Sequence, residues 1–381
     1  AAGDPGGAKK IRDQVASVRK AIGLPLTGGA GAVSSGDPGA LGAVVPQTGK
    51  STRVGELALQ GLAVAASWQA FSIDVRAAGT AEEAGAAVDD LARAGAIAVV
   101  GPIDGAAVDS AAGRANAQRL PLLSLATRPE ERASGRWTYH VVHSAEARAR
   151  ALARRAKAGG VTAFAIVSPE SGYGRAVAAA FTAEVEHGGG KIVERETYPA
   201  DAKAFDKIAK KLGTSWQAVF VPETADKLEL IAPALANAGH LPRPLGTRKA
   251  TGGRPVLLLS TAEGLATDFA ADTGRHAEGA FLAPGFYPDV KDPIIADFVR
   301  RYETSIGKPP GVVDAYAYDA ALVVAKAGAR SRDELATRLD GAELHGVTGT
   351  LRFDGSHRRG DDGLVFVVVE SAGAYELRAQ R

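Results

Sequence analysis

The feature that most constrains this chain is an alternation. Short runs of β-branched and aliphatic residues follow one another, separated by alanine-rich stretches with helical spacing. Strands are predicted at 42–46, 71–75, 97–100 and 120–125, with helices near 53–67, 81–94 and 105–118 between them. In the first of these helices Val54, Leu57, Ala58, Gly61, Leu62 and Ala65 fall on one face at i, i+3, i+4 spacing. Thr80 and Glu83 form a capping box that opens the second. Alternating βα units predict an α/β chain with a parallel, doubly wound sheet and helices on both of its faces.

The same plan then recurs. A strand at 139–142 leads to a helix at 145–158 capped by Ser144, and a second series follows. Its strands are expected at 162–167, 190–196, 217–221, 255–259 and 279–283, and its helices near 174–187, 203–212, 224–238 and 264–272. Helices at 293–306, 314–328 and 331–339 come next, then strands at 349–353, 363–370 and 374–379, the last turn being Ala372-Gly373. Elements beyond the second half imply that the chain returns to the first lobe and crosses again. Residues 1–40 stand apart as a leader: 9–21 could form a short charged helix, and 28–42 is rich in Gly, Ala and Ser and reads as a flexible linker.

Composition excludes more than it names. A length of 381 residues suggests two or three domains. The absence of Cys removes disulfides, thiolate zinc sites and cysteine nucleophiles. A net charge of +2 with interspersed signs asks for no nucleic-acid partner. No apolar run reaches the roughly 20 residues of a membrane helix. With no Met and no Cys, the chain reads as a processed, exported envelope protein.

Catalytic patterns are missing or incomplete. Residues 44–52 resemble a phosphate-binding loop, but Val44 stands where the first Gly should let backbone N–H groups wrap a phosphate. A polar turn opening a helix is the plainer reading. No G-x-S-x-G elbow or H-E-x-x-H motif occurs. His140 and His143 lie three apart on a strand, so they point to opposite faces and suit structural or hinge roles. The expectation is a non-enzyme with no metal and no cofactor.

The strand-to-helix turns are alike in composition. They are Val100-Gly-Pro-Ile-Asp-Gly-Ala106, Leu123-Ser-Leu-Ala-Thr127, Ser168-Pro-Glu-Ser-Gly-Tyr-Gly174, Pro222-Glu-Thr224 and Ser260-Thr-Ala-Glu-Gly264. In open α/β sheets ligands bind outside the carboxyl ends of the strands. Small residues there admit a ligand to the backbone, and helix N-termini favour carboxylates. Such turns in both halves predict a cleft lined from two sides.

These residues resemble the type I periplasmic solute-binding proteins, in particular the branched-chain amino-acid binding family. The matching segments are Val44-Val-Pro-Gln-Thr-Gly-Lys50 with Gly55-Glu56, Ala98-Val-Val-Gly-Pro102, Leu120 to Thr127 followed by Pro129-Glu130, Tyr173-Gly174, Ala277-Glu-Gly-Ala280 and Tyr316-Ala-Tyr-Asp-Ala320. Their order and spacing together carry the likeness, which covers nearly all of the chain after residue 41.

The resemblance implies two Rossmann-like lobes joined by three crossovers near 143–146, 283–288 and 345–349. Lobe 1 would then be 41–144 with 287–346, and lobe 2 145–286 with 347–381. Carried over by position, the ligand-binding residues are Gln47, Asp104, Gly105, Ala106, Leu125, Thr127, Tyr173, Thr224, Ala262 and Glu263. The loop from Asp104 to Ala106, with Leu125 and Thr127, would hold a carboxylate. Tyr173 would pack over the ligand and Thr224 would add a cleft contact. A gapless match places Ala262 where the family has an acidic partner for an amino group; a shift of one residue places Glu263 there.

The function implied is periplasmic capture of a small polar or amphipathic solute, an amino acid or small carboxylate, for ABC transport. The partners would be the small-molecule ligand and the transporter's membrane subunits, with no nucleic acid, and the protein would be a monomer, either free or lipid-anchored. A second relative is the penicillin-binding protein activator lipoprotein, which would make this chain a regulatory partner of a cell-envelope enzyme. A nucleotide-hydrolysing enzyme is the third alternative.

Overall fold

The computed structural model describes residues 36–69, 71–126, 135–360 and 365–380. The chain runs β1 (Asp37–Val45), α1 (Thr52–Gln69), β2 (Ser72–Ala77), α2 (Ala81–Arg93), β3 (Ala96–Val100), α3 (Gly105–Gln118), β4 (Leu122–Ser124) and β5 (Thr138–His140). It continues through α4 (Ala145–Ala158), β6 (Ala163–Pro169), α5 (Gly172–His187), β7 (Lys191–Tyr198), α6 (Asp206–Lys211), β8 (Ala218–Val221), α7 (Ala225–Asn237), β9 (His240–Pro242), β10 (Arg254–Ser260), α8 (Phe269–Ala277) and β11 (Phe281–Leu282). Last come α9 (Pro293–Ile306), α10 (Val312–Ala327), α11 (Arg332–Asp340), β12 (Leu344–Gly346), β13 (Gly349–Leu351), β14 (Val365–Ser371) and β15 (Ala374–Gln380).

Two compact units divide the chain. The first takes the described residues up to His143 and then Val290–Gly360; the second takes Ser144–Asp289 and residues 365–380. In the first unit the sheet order is β2-β1-β3-β4-β5, all parallel. In the second, β7-β6-β8-β10-β11 repeats that order in parallel, and β14 and β15 extend it antiparallel. Strand for strand, β4 corresponds to β10 and β3 to β8, so the plan read twice from sequence is one topology built twice.

The central strands β6, β8 and β10 of the second unit bury both faces. Ala165, Val167, Val219, Val221 and Leu258 enter one apolar cluster. Their immediate neighbours Phe164, Ile166, Ala218, Phe220, Leu257 and Leu259 enter the other. This is period-two alternation between two helix-covered faces, and it explains why parallel strands read as unbroken hydrophobic runs. In the first unit, Gly61 of α1 lies against α10; a Cβ there would come 2.1 Å from the Asp314 carbonyl oxygen. The apolar stripe predicted on this helix is therefore also a close helix–helix contact.

Several boundaries differ from expectation. Asp37–Ala40 belongs to β1 rather than to a linker, because the Asp37 N–H donates to Gly95 O at 2.7 Å and Ala40 is in register with Ser72. Residues 1–35 of the expected leader lie outside the described residues. The helix expected at 264–272 begins only at Phe269. The backbone first turns through Ala262 and Gly264, whose φ values are +45° and +73°.

Residues 347–360, assigned from sequence to the second lobe, belong to the first unit. The buried Asp319 carboxylate accepts the Val347 and Thr348 N–H groups at 2.9 and 2.8 Å, and Arg359 donates to Thr348 O and Val141 O at 2.9 and 3.2 Å. The strand expected at 349–353 is accordingly half of a small hairpin, β12–β13, rather than part of the C-terminal sheet. His143 is buried, with Nδ1 3.1 Å from the Tyr316 hydroxyl and Nε2 3.1 Å from Gly360 O.

Candidate functional site

The carboxyl ends of the parallel strands carry the predicted site residues, and each unit is built there in its own way. In the second unit, Ser171 caps α5 by accepting the Gly174 N–H at 2.9 Å. Gly174 is required at this point, since a Cβ would lie 2.2 Å from Pro169 O. The tight start fixes Tyr173 in the first turn. The residue is 38% exposed, but its hydroxyl is engaged.

That hydroxyl donates to Glu263 Oε1 at 2.9 Å and shares a hydrogen bond with Thr261 Oγ1, also at 2.9 Å. Burial first, and the Glu263 charge second, hold the Tyr173 phenol well above its ordinary range. Glu263 is also ion-paired to Arg148, which is almost fully buried. Arg148 Nη1 donates to Ala283 O at 2.6 Å and to Thr261 O at 3.3 Å. A ring of contacts thus links Arg148, Glu263, Tyr173 and Thr261.

Beside it, Glu223 is a buried carboxylate after β8. It accepts from the Tyr198 hydroxyl at 3.0 Å and the Thr224 N–H at 2.9 Å, and pairs with Lys227 at 3.3 Å. The two loops are stitched together: the Glu263 N–H donates to Glu223 O at 3.1 Å, and the Ala225 N–H to Glu263 O at 2.9 Å. Thr224 takes the N-cap position of α7, but its hydroxyl caps nothing. Ala262 is fully buried at positive φ. Between the two alignments, the structure brings Glu263 to Tyr173 and turns Ala262 into the core.

In the first unit the expected carboxylate loop follows β3. Asp104 caps α3 with its own side chain, accepting the Ala106 N–H at 2.9 Å, and Asp104, Gly105 and Ala106 are all exposed. The Leu125 N–H donates to Pro102 O at 3.1 Å. Two of the amides assigned to a ligand are therefore engaged within the unit. Gln47 is half-buried in the turn after β1. Thr127 lies outside the described residues.

One correspondence was not read from sequence. β4 ends Leu122-Leu-Ser124-Leu-Ala126, and β10 ends Leu258-Leu-Ser260-Thr-Ala262. In each, the Ser hydroxyl accepts the N–H of the Ala two residues on, at 3.2 Å and 3.1 Å. Counted along the sequence, Glu263 follows Ser260 by three positions, as Thr127 follows Ser124. The signal for it, Leu-Leu-Ser-x-Ala, is present in the chain twice. Arg148 was missed as well; its signal is a charged residue on the Ala145, Ala149, Leu152, Ala156 stripe of α4.

A model of the periplasmic binding protein family matches residues 40–374. The chain belongs to this family. Its members are binding proteins, not enzymes, and they work outside the cytoplasm. Comparison by sequence with curated proteins gives no match.

Solved structures give the same type I fold, two parallel-sheet lobes. A Rhodospirillum rubrum protein assigned to branched-chain amino acid ABC transport superposes with a TM-score of 0.73 at 22% identity, covering 89% of this chain and 99% of its own. A branched-chain amino acid transporter substrate-binding protein of Streptococcus pneumoniae, solved with isoleucine, gives 0.59 at 20% identity, with 90% and 99% covered. An ABC transporter solute-binding protein of Rhodopseudomonas palustris, solved with 3,4-dihydroxybenzoic acid, gives 0.63 at 16% identity, with 90% and 96% covered. Among the described residues of this periplasmic binding protein, no group of His, Asp and Glu side chains is placed to hold a metal ion, and no helix is long and apolar enough to cross a membrane.

Proposed function

We propose that this protein captures a small carboxylate-bearing solute, an amino acid or an organic acid, and delivers it to the membrane subunits of an ABC transporter. The carrying observation is the Tyr173–Glu263–Thr261–Arg148 constellation at the carboxyl edge of the second sheet. It presents an exposed aromatic ring on a hydrogen-bonded polar base, which suits a ligand with an apolar body and a polar end. Gln47, Asp104, Gly105, Ala106, Leu125 and Thr127 are the candidates that the sequence offers on the first unit, and Thr224 is a further candidate on the second. Relatives solved with isoleucine and with 3,4-dihydroxybenzoic acid support both ligand kinds.

The test is calorimetry against leucine, isoleucine, benzoate and 3,4-dihydroxybenzoate, alongside a broader set of small acids. Saturable one-to-one binding is expected. A ligand at about 100 times its Kd should add roughly 2.7 kcal/mol of stability, seen as a raised melting temperature. If no small acid or amino acid binds or stabilises the protein, the transport reading fails.

A further inference from the structure

Arg148 plays no part in the family likeness, yet it is a buried charge held by several groups of the second unit. It lies on the buried stripe of α4, in line with Ala145, Ala149, Leu152 and Ala156. Its side chain is 8% exposed, and that of its partner Glu263 is 29% exposed. A buried guanidinium stays charged and must be balanced where it lies. Among the described residues it meets two carbonyls at the strand ends, Ala283 O and Thr261 O, and the Glu263 carboxylate.

This changes what Glu263 can offer. The oxygen that meets Arg148 is the same Oε1 that receives the Tyr173 hydroxyl. A ligand ammonium drawn to this carboxylate would also face a fixed cation a few ångströms behind it. Attraction and repulsion would act over comparable distances in the same medium, so the gain would be largely offset. A ligand carboxylate meets the opposite case: the repulsion of Glu263 is countered by Arg148. Tyr173 meanwhile presents its ring to whatever lies above.

We propose that Arg148 is a positioning residue that sets specificity: by pairing with Glu263 it turns the site away from ammonium-bearing ligands and toward carboxylic acids that lack an ammonium group. The proposal rests on the solute-binding reading above and deepens it. It acts through Glu263, because the ion pair with Arg148 and the oxygen shared with Tyr173 both join at that side chain.

The experiment uses matched ligand pairs that differ only in the ammonium group: leucine with 4-methylpentanoate, and phenylalanine with 3-phenylpropanoate. Calorimetry on the wild-type chain should show the ammonium-free member of a pair binding at least about tenfold more tightly. Arg148→Met should reverse or erase that ratio, Arg148→Lys should preserve its direction, and adding Glu263→Gln to Arg148→Met should cancel the ammonium gain. A merely structural Arg148 would weaken both members of a pair equally, and that result overturns the proposal. So does a wild-type preference for the amino acids.

Should Arg148→Met fail to fold, Glu263→Gln alone carries the test. It leaves Arg148 uncompensated and should widen the preference for the ammonium-free acid; a narrowed preference refutes the idea. Failure of the underlying reading looks different, since then no member of either pair, nor any other small acid, binds at all.

Discussion

Tyr173 and Glu263, 90 residues apart in sequence, meet with the phenol hydroxyl 2.9 Å from the carboxylate. One sits in the first turn of the helix after β6 and the other in the loop after β10. Those strands are separated in the sheet only by β8. Parallel topology brings their carboxyl-end loops together, as expected of an open α/β sheet. The contact also ties an exposed ring to a buried Arg, so the ring's position depends on charge as well as on packing.

Tyr173→Phe should separate the hydroxyl from the ring. It removes a donor to Glu263 and a partner of Thr261 while leaving the aromatic face. Ligand-free stability should fall by about 1.5–3 kcal/mol in urea denaturation, the usual range for a hydrogen bond to a charged group. Tyr173→Ala should weaken ligand binding clearly more than Tyr173→Phe does. Equal losses of affinity would mean that the ring does not cover the ligand.

Two glycines in helices should respond with opposite signs. Gly61 of α1 faces the Asp314 carbonyl oxygen, 2.1 Å from where a Cβ would stand. Gly113 of α3 is exposed and has nothing within 4 Å of that point. Alanine at position 61 should destabilise by about 1–3 kcal/mol through overpacking. Alanine at position 113 should stabilise by up to about 1 kcal/mol through helix propensity. Denaturation midpoints on both sides of the wild-type value are the expected result; a gain at position 61 would contradict the close packing of α1 on α10.

Much of this fold was legible because parallel strands buried on both faces read as short apolar runs. The helices 105–118, 145–158 and 293–306 have the limits their sequences predict, each opened by a side-chain cap, at Asp104, Ser144 and Asp292. What was not legible depends on long-range pairing. Residues 347–360 look like the start of the final sheet, but Asp319 and Arg359 fix them to the first unit. The delayed start of α8 comes from positive φ at Ala262, which no propensity would assign to alanine. In the site, Tyr173 and Glu263 could be named one by one, whereas Arg148 could not. Its role lies in a pairing across 115 positions that local spacing does not encode.

Asp319 should be a stability determinant of the first unit. It is fully buried and accepts the Val347 N–H, the Thr348 N–H and the Thr348 hydroxyl, with the Arg359 charge close by. Burial pushes this carboxyl upward, and Arg359 opposes that push. Asp319→Asn supplies one oxygen where two carboxylate oxygens now divide the donors between them. A loss of about 1–3 kcal/mol is expected from a donor left unsatisfied in the interior. Protease nicking within 347–360 should rise in parallel, and an unchanged cleavage pattern would show that this segment is held by other contacts.

Stability should also decline on the alkaline side. Tyr139, Tyr173, Tyr198 and Tyr302 donate their hydroxyls to Asp340, Glu263, Glu223 and Asp314 respectively. In each, burial is the largest cause of a phenol held above its ordinary range, and the partner carboxylate adds to it. In the unfolded chain these groups ionise near about pH 10. Below that pH both states keep their protons and the contribution is complete. Above it the unfolded state loses protons that the native state retains, so the native state binds more protons and stability falls as pH rises. Urea midpoints measured from about pH 8 to 11 should be level at first and then drop, with tyrosinate absorbance lower in the native protein than in the unfolded chain at the upper end. Tyr198→Phe should flatten the drop. A midpoint that stays level throughout, with native tyrosines ionising like unfolded ones, would show that these hydroxyl–carboxylate pairs do not persist in solution.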